Sequence, residues 1–555
     1  MDSLKIRALE SLVAERILAL EAGEQGVVAD STLRTHIKSL EKLMVRDELY
    51  KREVAAKVRV DQKEVQEGMR RFARRVTVLM LGLQNRDAAR SVSAALRAGG
   101  RIDSIVAHAP GSDTPTVDTV RVTFGLLERT QENAVYALNE DRLATGPLKT
   151  SDGGWVVLVL LDRETDPEYA RRSIPQRTQT VMARIRRREE LEQAKIYTAR
   201  ILNPLRAQVL PTIFGRVART LFEILQADSL QANSPSGYRL DRVVDTAHSA
   251  LRAVLDDMLV QFKGGGMTVG EVLESYRTSD FVIPVLRKKD FRQILNASIR
   301  ELVEREFLAL EGYRERLDQT DQVRHDVDTW STYWLARALM WKLVADVTVS
   351  DDEVIAYLIE QKDIIGNDYE VNVREILSDS LRESLAIMEQ VVAGSDMKLL
   401  AREHSVRREW ATRDGESGFF PVGVHPEIGF RALDAPSGAL IGPVKVPEGY
   451  SLFTLLSSRR MPGDTTFPFD SLKAVVRNEL LTGRTQGRLN RFISDAASRY
   501  HVKFFYNRLA ETDIPAINLV TRRFIGFGGS MLAAPTLYPL WEWVREAKGV
   551  EEVLP

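Results

Sequence analysis

Seven histidines, at positions 36, 108, 248, 325, 404, 425 and 501, are the side chains best suited to metal ligation or to proton transfer near neutral pH. No two stand four residues apart and no His-Glu-x-x-His spelling occurs, so no pattern sets two imidazoles on one helix face for a metal. Solvated or core histidines are the expectation. Cysteine is absent, which removes disulfides, thiol nucleophiles and thiolate metal sites. The run GFGGS, Gly526 to Ser530, has the glycines of a phosphate loop without the Lys-Ser/Thr that would follow them, and it reads as a turn. No nucleophile elbow is spelled, although a Ser-His-Asp set brought together by folding leaves no local mark. Neither a metal nor a cofactor is expected.

Lys and Arg (77) almost cancel Asp and Glu (78), so the basic excess of a nucleic-acid binder is missing. ARIRRREELEQAK, residues 183–195, is a mixed-charge, solvated helix face. No apolar run reaches the roughly twenty residues of a membrane span. The start, MDSLKIRALESLVAERILAL, is charged and amphipathic, unlike a secretory leader. A length of 555 residues suits about three to five domains of roughly 100 to 200 residues.

The elements that position any site are announced by a repeat. TGPLKTSDGGWVVLVLL, from Thr145, and IGPVKVPEGYSLFTLL, from Ile441, spell the same Gly-Pro, Lys, turn, Gly and apolar strand. Their neighbourhoods match in order. LVAERILALEA (Leu12 to Ala22) faces LVEREFLALEG (Leu302 to Gly312), KVRVDQKEV (from Lys57) faces DVTVSDDEV (from Asp346), and RVTVLMLG (from Arg75) faces EVNVREIL (from Glu370). GLLERTQENAVYAL (from Gly125) faces GFFPVGVHPEIGFRAL (from Gly418). The preserved order reads as two copies of one composite unit.

Each copy opens on a helix, with Leu12, Val13, Ile17, Leu18 and Leu20 in one stripe and Leu302, Val303, Phe307, Leu308 and Leu310 in the other. Ser350 with Glu353 predicts a capping box. A strand from Val371 to Leu377, a helix from about Leu381 to Ala393, a second helical stretch, the loop DGESG (Asp414 to Gly418) and two strands around Pro447 to Gly449 follow. Long helices from about Ser173 to Arg200 and Ser471 to Tyr500 close the copies. Between them, residues 201–259 read as mainly helical with a turn at NSPSG, Asn233 to Gly237. MLVQFKGGGMTVGEVLESY, from Met258, then predicts two short strands and a helix. The first copy lacks that lead-in, so a further stretch upstream, with any leader, is expected. The apolar tail FIGFGGSMLAAPTLYPLWEWV, from Phe524, either docks on the body or meets a partner.

Helices around an α/β module resemble the SurA and PrsA type of foldase, in which chaperone helices surround parvulin peptidyl-prolyl isomerase domains. VREIL (Val373 to Leu377) is similar to the first parvulin strand, AGSDMKLLAREHS (Ala393 to Ser405) to its helix, GESGFF (Gly415 to Phe420) to its Gly-rich loop, and SGALIGPVKVPEGYSLFTLL (from Ser437) to its closing hairpin. The first copy keeps the strand and hairpin and has lost the spelling of the loop. The resemblance implies an α+β, multidomain chain with a duplicated unit of helical chaperone segment plus parvulin-like β-α-β module. Its expected plan is helical segment 1–74, degenerate module 75–165, helical connector 166–259, second helical segment with its lead-in hairpin 260–369, second module 370–460, and C-terminal helix and apolar tail 461–555.

Rotation about an X-Pro bond is slow, against a barrier of about 18–20 kcal/mol. The resemblance implies that parvulins lower it with an apolar proline pocket and a polar network of two histidines and an Asp or Cys. Here Glu375 takes the first-strand His position, Arg407 the Asp/Cys position and Ser451 the hairpin His position; in the first copy the His positions fall on Met80 and Trp155. His425, Ile428, Phe430 and Phe420 stand for the client-binding pocket. Glu375 and Arg407 either pair across the site or both face solvent. The implied function is a chaperone of the periplasm or cell envelope that binds unfolded or outer-membrane-type polypeptides. It would span no membrane, bind no nucleic acid and keep a degenerate isomerase site. An active isomerase with a rewired site and a structural subunit of an envelope assembly stay open.

Overall fold

Strands form where β-branched and large apolar residues alternate, and helices where a cap meets a 3.6-residue stripe. The computed structural model describes residues 3–27, 31–107, 115–140, 143–150, 153–228, 231, 237–279, 281–362, 368–461, 468–513, 521–547 and 551–552. They are distributed over two units: Ala29–Ser331 with Ala516–Pro535, and Met1–Val28 with Thr332–Pro515 and Thr536–Pro555. Each mixes helices with small sheets, an α+β, multidomain arrangement.

In the unit that begins at Ala29, Asp61 caps helix Gln62–Phe72, which runs into β1 (Arg74–Leu83). With β2 (Thr116–Val122), β3 (Leu148–Lys149) and β4 (Trp155–Thr165) it makes an antiparallel sheet of order β2-β1-β4-β3. Helix Arg86–Arg97 buries Leu81, Leu83, Val157 and Val159 on one face. On the other face Val76, Val78, Val156 and Leu158 pack with Val135 of helix Arg129–Tyr136. Helix Ile174–Leu202 follows from a capping box of Ser173 and Gln176. Farther on, β5 (Gln208–Val209), β7 (Met258–Phe262) and β8 (Gly265–Thr268) form a second sheet, while β6 (Tyr238–Arg239) pairs with β9 (Val282–Ile283). Their core joins helices Pro211–Ala227, Val269–Arg277 and Lys288–Arg314 through Phe214, Leu221, Leu273 and Phe291. Lys288–Arg314 also lies along Ser31–Glu53, where Tyr313 donates to Glu41 at 2.5 Å and Lys42 meets Glu306 at 2.7 Å. That approach requires Gly312, since a Cβ there would stand 2.4 Å from Val45 Cγ1.

The other unit carries β10 (Tyr369–Ser378), β11 (Phe420–Pro421), β12 (Leu440–Val446) and β13 (Gly449–Arg460) in the order β11-β10-β13-β12. The ladders β1–β4 and β10–β13 each skip one residue, between Thr77 and Val78 in the first and between Asn372 and Val373 in the second. Helices Leu381–Val392 and Met397–His404 pack on Ile376 and Leu452, while Val371, Val373 and Phe453 face helices Asp351–Glu360, Pro426–Asp434 and Phe469–Arg499. Ser350 and Glu353 form the expected capping box. Most of the NSPSG turn lies outside the described residues.

The first helix, Ser3–Glu24, differs from its expected stripe. Leu12 and Leu20 are exposed, and Ala14, Ile17, Leu18 and Ala22 are buried against Ala336, Leu339, Leu489, Ile493, Ala496 and Ala497. Alanine on both sides lets helices approach closely, and Ile17 and Leu18 fill the contact with Leu339, Leu489 and Ile493. LVAERILALEA therefore packs in the unit built around β10, and LVEREFLALEG in the unit built around β1.

The tail is divided as well. In the unit of β1, Gly526 N–H donates to Asp47 at 2.8 Å, Arg523 reaches Asp47 and Asp326, and the Phe527 ring lies 5.2 Å from Tyr50 and 5.8 Å from Tyr197. In the other unit Trp543 is wholly buried, its Nε1 donating to Glu10 O at 3.2 Å. No described helix is long and apolar enough to cross a membrane.

Removing residues 1–28 should expose the face of Leu489, Ile493, Ala496 and Trp543. By calorimetry the unit of β10 should melt earlier while the unit of β1 keeps its transition, and a peptide of residues 3–24 added in trans should restore the lost part. Unchanged melting of the truncated chain would contradict this packing.

Candidate functional site

Glu375 sits in mid-strand on β10, opposite Phe453, with its carboxylate on the same sheet face as Ser451. Two residues along the ladder make them diagonal neighbours, and Ser451 Oγ donates to Glu375 Oε1 at 2.6 Å. Arg407 arrives because the chain after helix Met397–His404 is stitched alongside β10: Leu377 N–H donates to Ser405 Oγ at 3.0 Å, and Val406 N–H to Leu377 O at 2.8 Å. On the neighbouring side Glu375 N–H donates to Gly415 O at 2.8 Å. Gly415 has φ +79°, and a Cβ on it would lie 2.7 Å from Glu375 O and 2.8 Å from Ala401 Cβ, so the loop DGESG needs glycine at this point.

The structure thus brings Glu375, Arg407 and Ser451 together. Arg407 Nε lies 3.1 Å from Glu375 Oε2, with the Glu375 side chain 0% exposed. Neither of those two atoms has an aligned hydrogen bond, so the contact is one of charge. The guanidinium stacks 4.4 Å over Trp410, touches the His425 ring at 3.1 Å through Nη1, and faces Glu448 at 3.5 Å through Nη2. Burial pushes the Glu375 carboxyl above its ordinary range, against the pull of Arg407 and the Ser451 hydroxyl. Burial, then the charge of Arg407, holds His425 below the usual imidazole value and keeps the ring neutral.

His425 precedes helix Pro426–Asp434 and closes a box of rings: it meets Trp410 and Phe420 edge-on at 5.4 Å each, and those two stack at 5.7 Å. Ile428 and Phe430 are wholly buried in the core cluster that also holds Trp410 and Phe420, so they support the rings without presenting a surface. Trp410 and Glu448 went unnoticed in sequence. The first had a usable signal, because an aromatic three residues after an arginine lies under its side chain on a helical turn. Among the described residues no group of three or more His, Asp or Glu gathers as a metal site.

In the first sheet Met80 lies opposite Leu158, as Glu375 lies opposite Phe453. Counted from the skipped residue, the place of Ser451 falls on Val156, opposite Gly82, and not on Trp155. Trp155 turns to the other face, against Arg86 at 5.2 Å, because a shift of one residue in a strand exchanges its faces.

Residues 375–457 match the PPIC-type PPIASE domain of the rotamase family, so the chain carries a parvulin-type module. It is 31% identical over 156 residues to the foldase protein PrsA of Caldanaerobacter subterraneus subsp. tengcongensis, covering 27% of this chain and 47% of that protein. Against the periplasmic chaperone PpiD of Haemophilus ducreyi it is 25% identical over 141 residues, covering 24% of this chain and 22% of the relative. The chain thus spans less than half the length of either curated relative. The crystal structure of peptidylprolyl isomerase PrsA from Bacillus anthracis aligns with 53% of this chain and 98% of its own at 15% identity and a TM-score of 0.17.

Because the folded pKa of Glu375 is raised, its contribution to stability is fully present below the ordinary carboxylate pKa and is lost as pH rises through the folded value. Arg407→Ala should therefore cost about 3 kcal/mol at pH 7.5, where the carboxylate is left without its cation, and less at pH 5. The double variant Glu375→Gln, Arg407→Met should recover to within about 1 kcal/mol of the parent. Urea unfolding measures both, and a pH-independent loss below about 0.5 kcal/mol would show the pair to be solvent-screened.

Proposed function

We propose that this protein is a folding chaperone of the periplasm or cell envelope that holds non-native polypeptides, with a parvulin-type module whose isomerase site is degenerate. The observation that carries the reading is the Glu375–Arg407–Ser451 cluster beneath the Trp410, Phe420 and His425 rings, in a segment matching the PPIC-type domain. A salt bridge takes the place where the resemblance puts histidines, and it ties Arg407 to a buried carboxylate. His425, half-buried, is the side chain of the ring box that would meet a client, with the buried Phe420 and Trp410 behind it. The names of the two curated relatives, a foldase and a periplasmic chaperone, support the same class and compartment.

The second part of the proposal is duplication. The matching sequence blocks, the two sheets of identical strand order and the ladder irregularity at corresponding positions support two copies of one unit, the first with a degenerate module at 75–165 and the second at 370–460. On this reading the two copies exchange their leading helices. The clients are unfolded, outer-membrane-type chains. Among the described rings of the tail Phe527 and Trp543 are engaged internally, while Phe524, 74% exposed, and Tyr538, 37% exposed, offer surface for a partner contact.

Each tenfold of rate corresponds to about 1.36 kcal/mol of barrier. The purified chain should suppress aggregation of a denatured β-rich protein at equimolar ratio, yet accelerate proline-limited refolding by less than about tenfold. Strong acceleration at a hundredth of the client concentration, lost in Glu375→Gln, would make the cluster a rewired catalytic site. Failure to suppress aggregation together with stoichiometric co-purification of one protein would make the chain a structural subunit.

A further inference from the structure

Where the second module has the short strand β11, of two residues ending in Pro421, the first has β2, seven residues long. Val122 of β2 faces Val76, and Phe420 of β11 faces Val371. Beyond that point the second module folds into its loop, with Ser417 N–H donating to Val373 O and Glu375 N–H to Gly415 O. In the first module β2 continues straight, paired with β1 from Val76 to Gly82. It is terminal in the sheet order, and among the described residues no strand pairs with its outer edge. Thr116, Val117, Asp118 and Thr119 are all exposed, Val117 at 50%.

Such an edge carries outward N–H and C=O groups at every second residue, a template that only another extended backbone satisfies along its length. Native edges are usually blunted by proline, short length or a run of charge. The second module has the first two in Pro421 and a two-residue strand. β2 has neither, and its two charges, Asp118 and Arg121, fall on opposite faces.

We propose that the outer edge of β2 is a client-binding site that takes an extended, amphipathic polypeptide strand by β-augmentation. The inference rests on the chaperone reading and names where and in what conformation a client is held. On one face the added strand lies beside Val120 and the buried Val122, next to the cluster of Val76, Val78 and Val135, and favours apolar residues there and polar ones beside Thr116 and Asp118. On the other it lies beside Val117, Thr119 and Arg121, and favours polar residues with an acid near Arg121. A second copy of the chain is the less suitable occupant. Seven residues span about 23 Å, well short of the roughly 20–30 residues a side of a stable dimer. A transient hold on a passing strand needs no more.

The test uses the full chain and a ten-residue peptide with valine at alternate positions, threonine between them and one aspartate. Hydrogen exchange with and without peptide should show about tenfold slowing at alternate amides of 116–122. Arg121→Glu should lower affinity for this peptide about twofold to fivefold and raise it for the version with lysine in place of aspartate. Peptide binding that leaves 116–122 unchanged overturns the edge site. So does protection of 116–122 that grows with protein concentration alone, which would assign the edge to a second copy. Aggregation suppression measured on the same sample separates the two readings: if it persists while the edge stays unprotected, the edge site falls and the chaperone stands. If suppression is also absent, both fall.

Discussion

The constraint on which the architecture depends is closure over a very long stretch of chain. In the unit of β10, Arg499 is paired with Glu21, 478 residues away in sequence, and in the unit of β1 the amide of Gly526 is held by Asp47, 479 residues away. Neither unit is a continuous stretch. Loop-closure entropy grows only slowly with length, so such contacts are affordable in equilibrium terms. In kinetic terms they come late, after the local hairpins and helices have formed. The hairpins β3–β4 and β12–β13 are local and are the parts able to form first. The alanine-faced helix contacts and the tail then fix them in place.

The buried charge in the second module follows a different logic. Withdrawing Glu375 from water is costly, and its attraction to Arg407 offsets that cost only in part, as the upward displacement of its carboxyl shows. Replacing a buried pair with well-packed apolar side chains is often neutral or stabilising, so stability alone does not explain it. What the pair does supply is position. It holds the guanidinium flat on Trp410 and against His425, and so sets the spacing of the ring box. A guanidinium so held is a fixed feature of the site.

Much of this was legible in sequence because it is local. The strand around Val371 to Leu377, the hairpin at Pro447 to Gly449, the capping box at Ser350 and the nearness of Glu375 to Arg407 follow from short-range pattern or from a motif of about ninety residues. What sequence did not show depends on partners. Leu12 and Leu20 are as apolar as Ile17 and Leu18, and only the opposing helices decide which of them are buried. That LVAERILALEA packs in the unit of β10 and LVEREFLALEG in the unit of β1 leaves no local trace. Matching the hairpins by spelling placed Trp155 where the ladder has Val156, because a skipped residue shifts a strand's faces without altering its composition.

The two modules diverge most at one place, and backbone sterics explain why divergence there changes shape. The loop of the second module depends on Gly415 and Gly418, at φ +79° and +72°, a region that side chains with a branched Cβ avoid. The stretch Thr116 to Val122 contains no glycine, and five of its seven residues are valine or threonine. Such a sequence cannot make that turn and strongly favours the extended chain. Thr116 to Val122 is accordingly a straight strand with one edge open, whereas the segment around Gly415 folds back to support the Glu375 site.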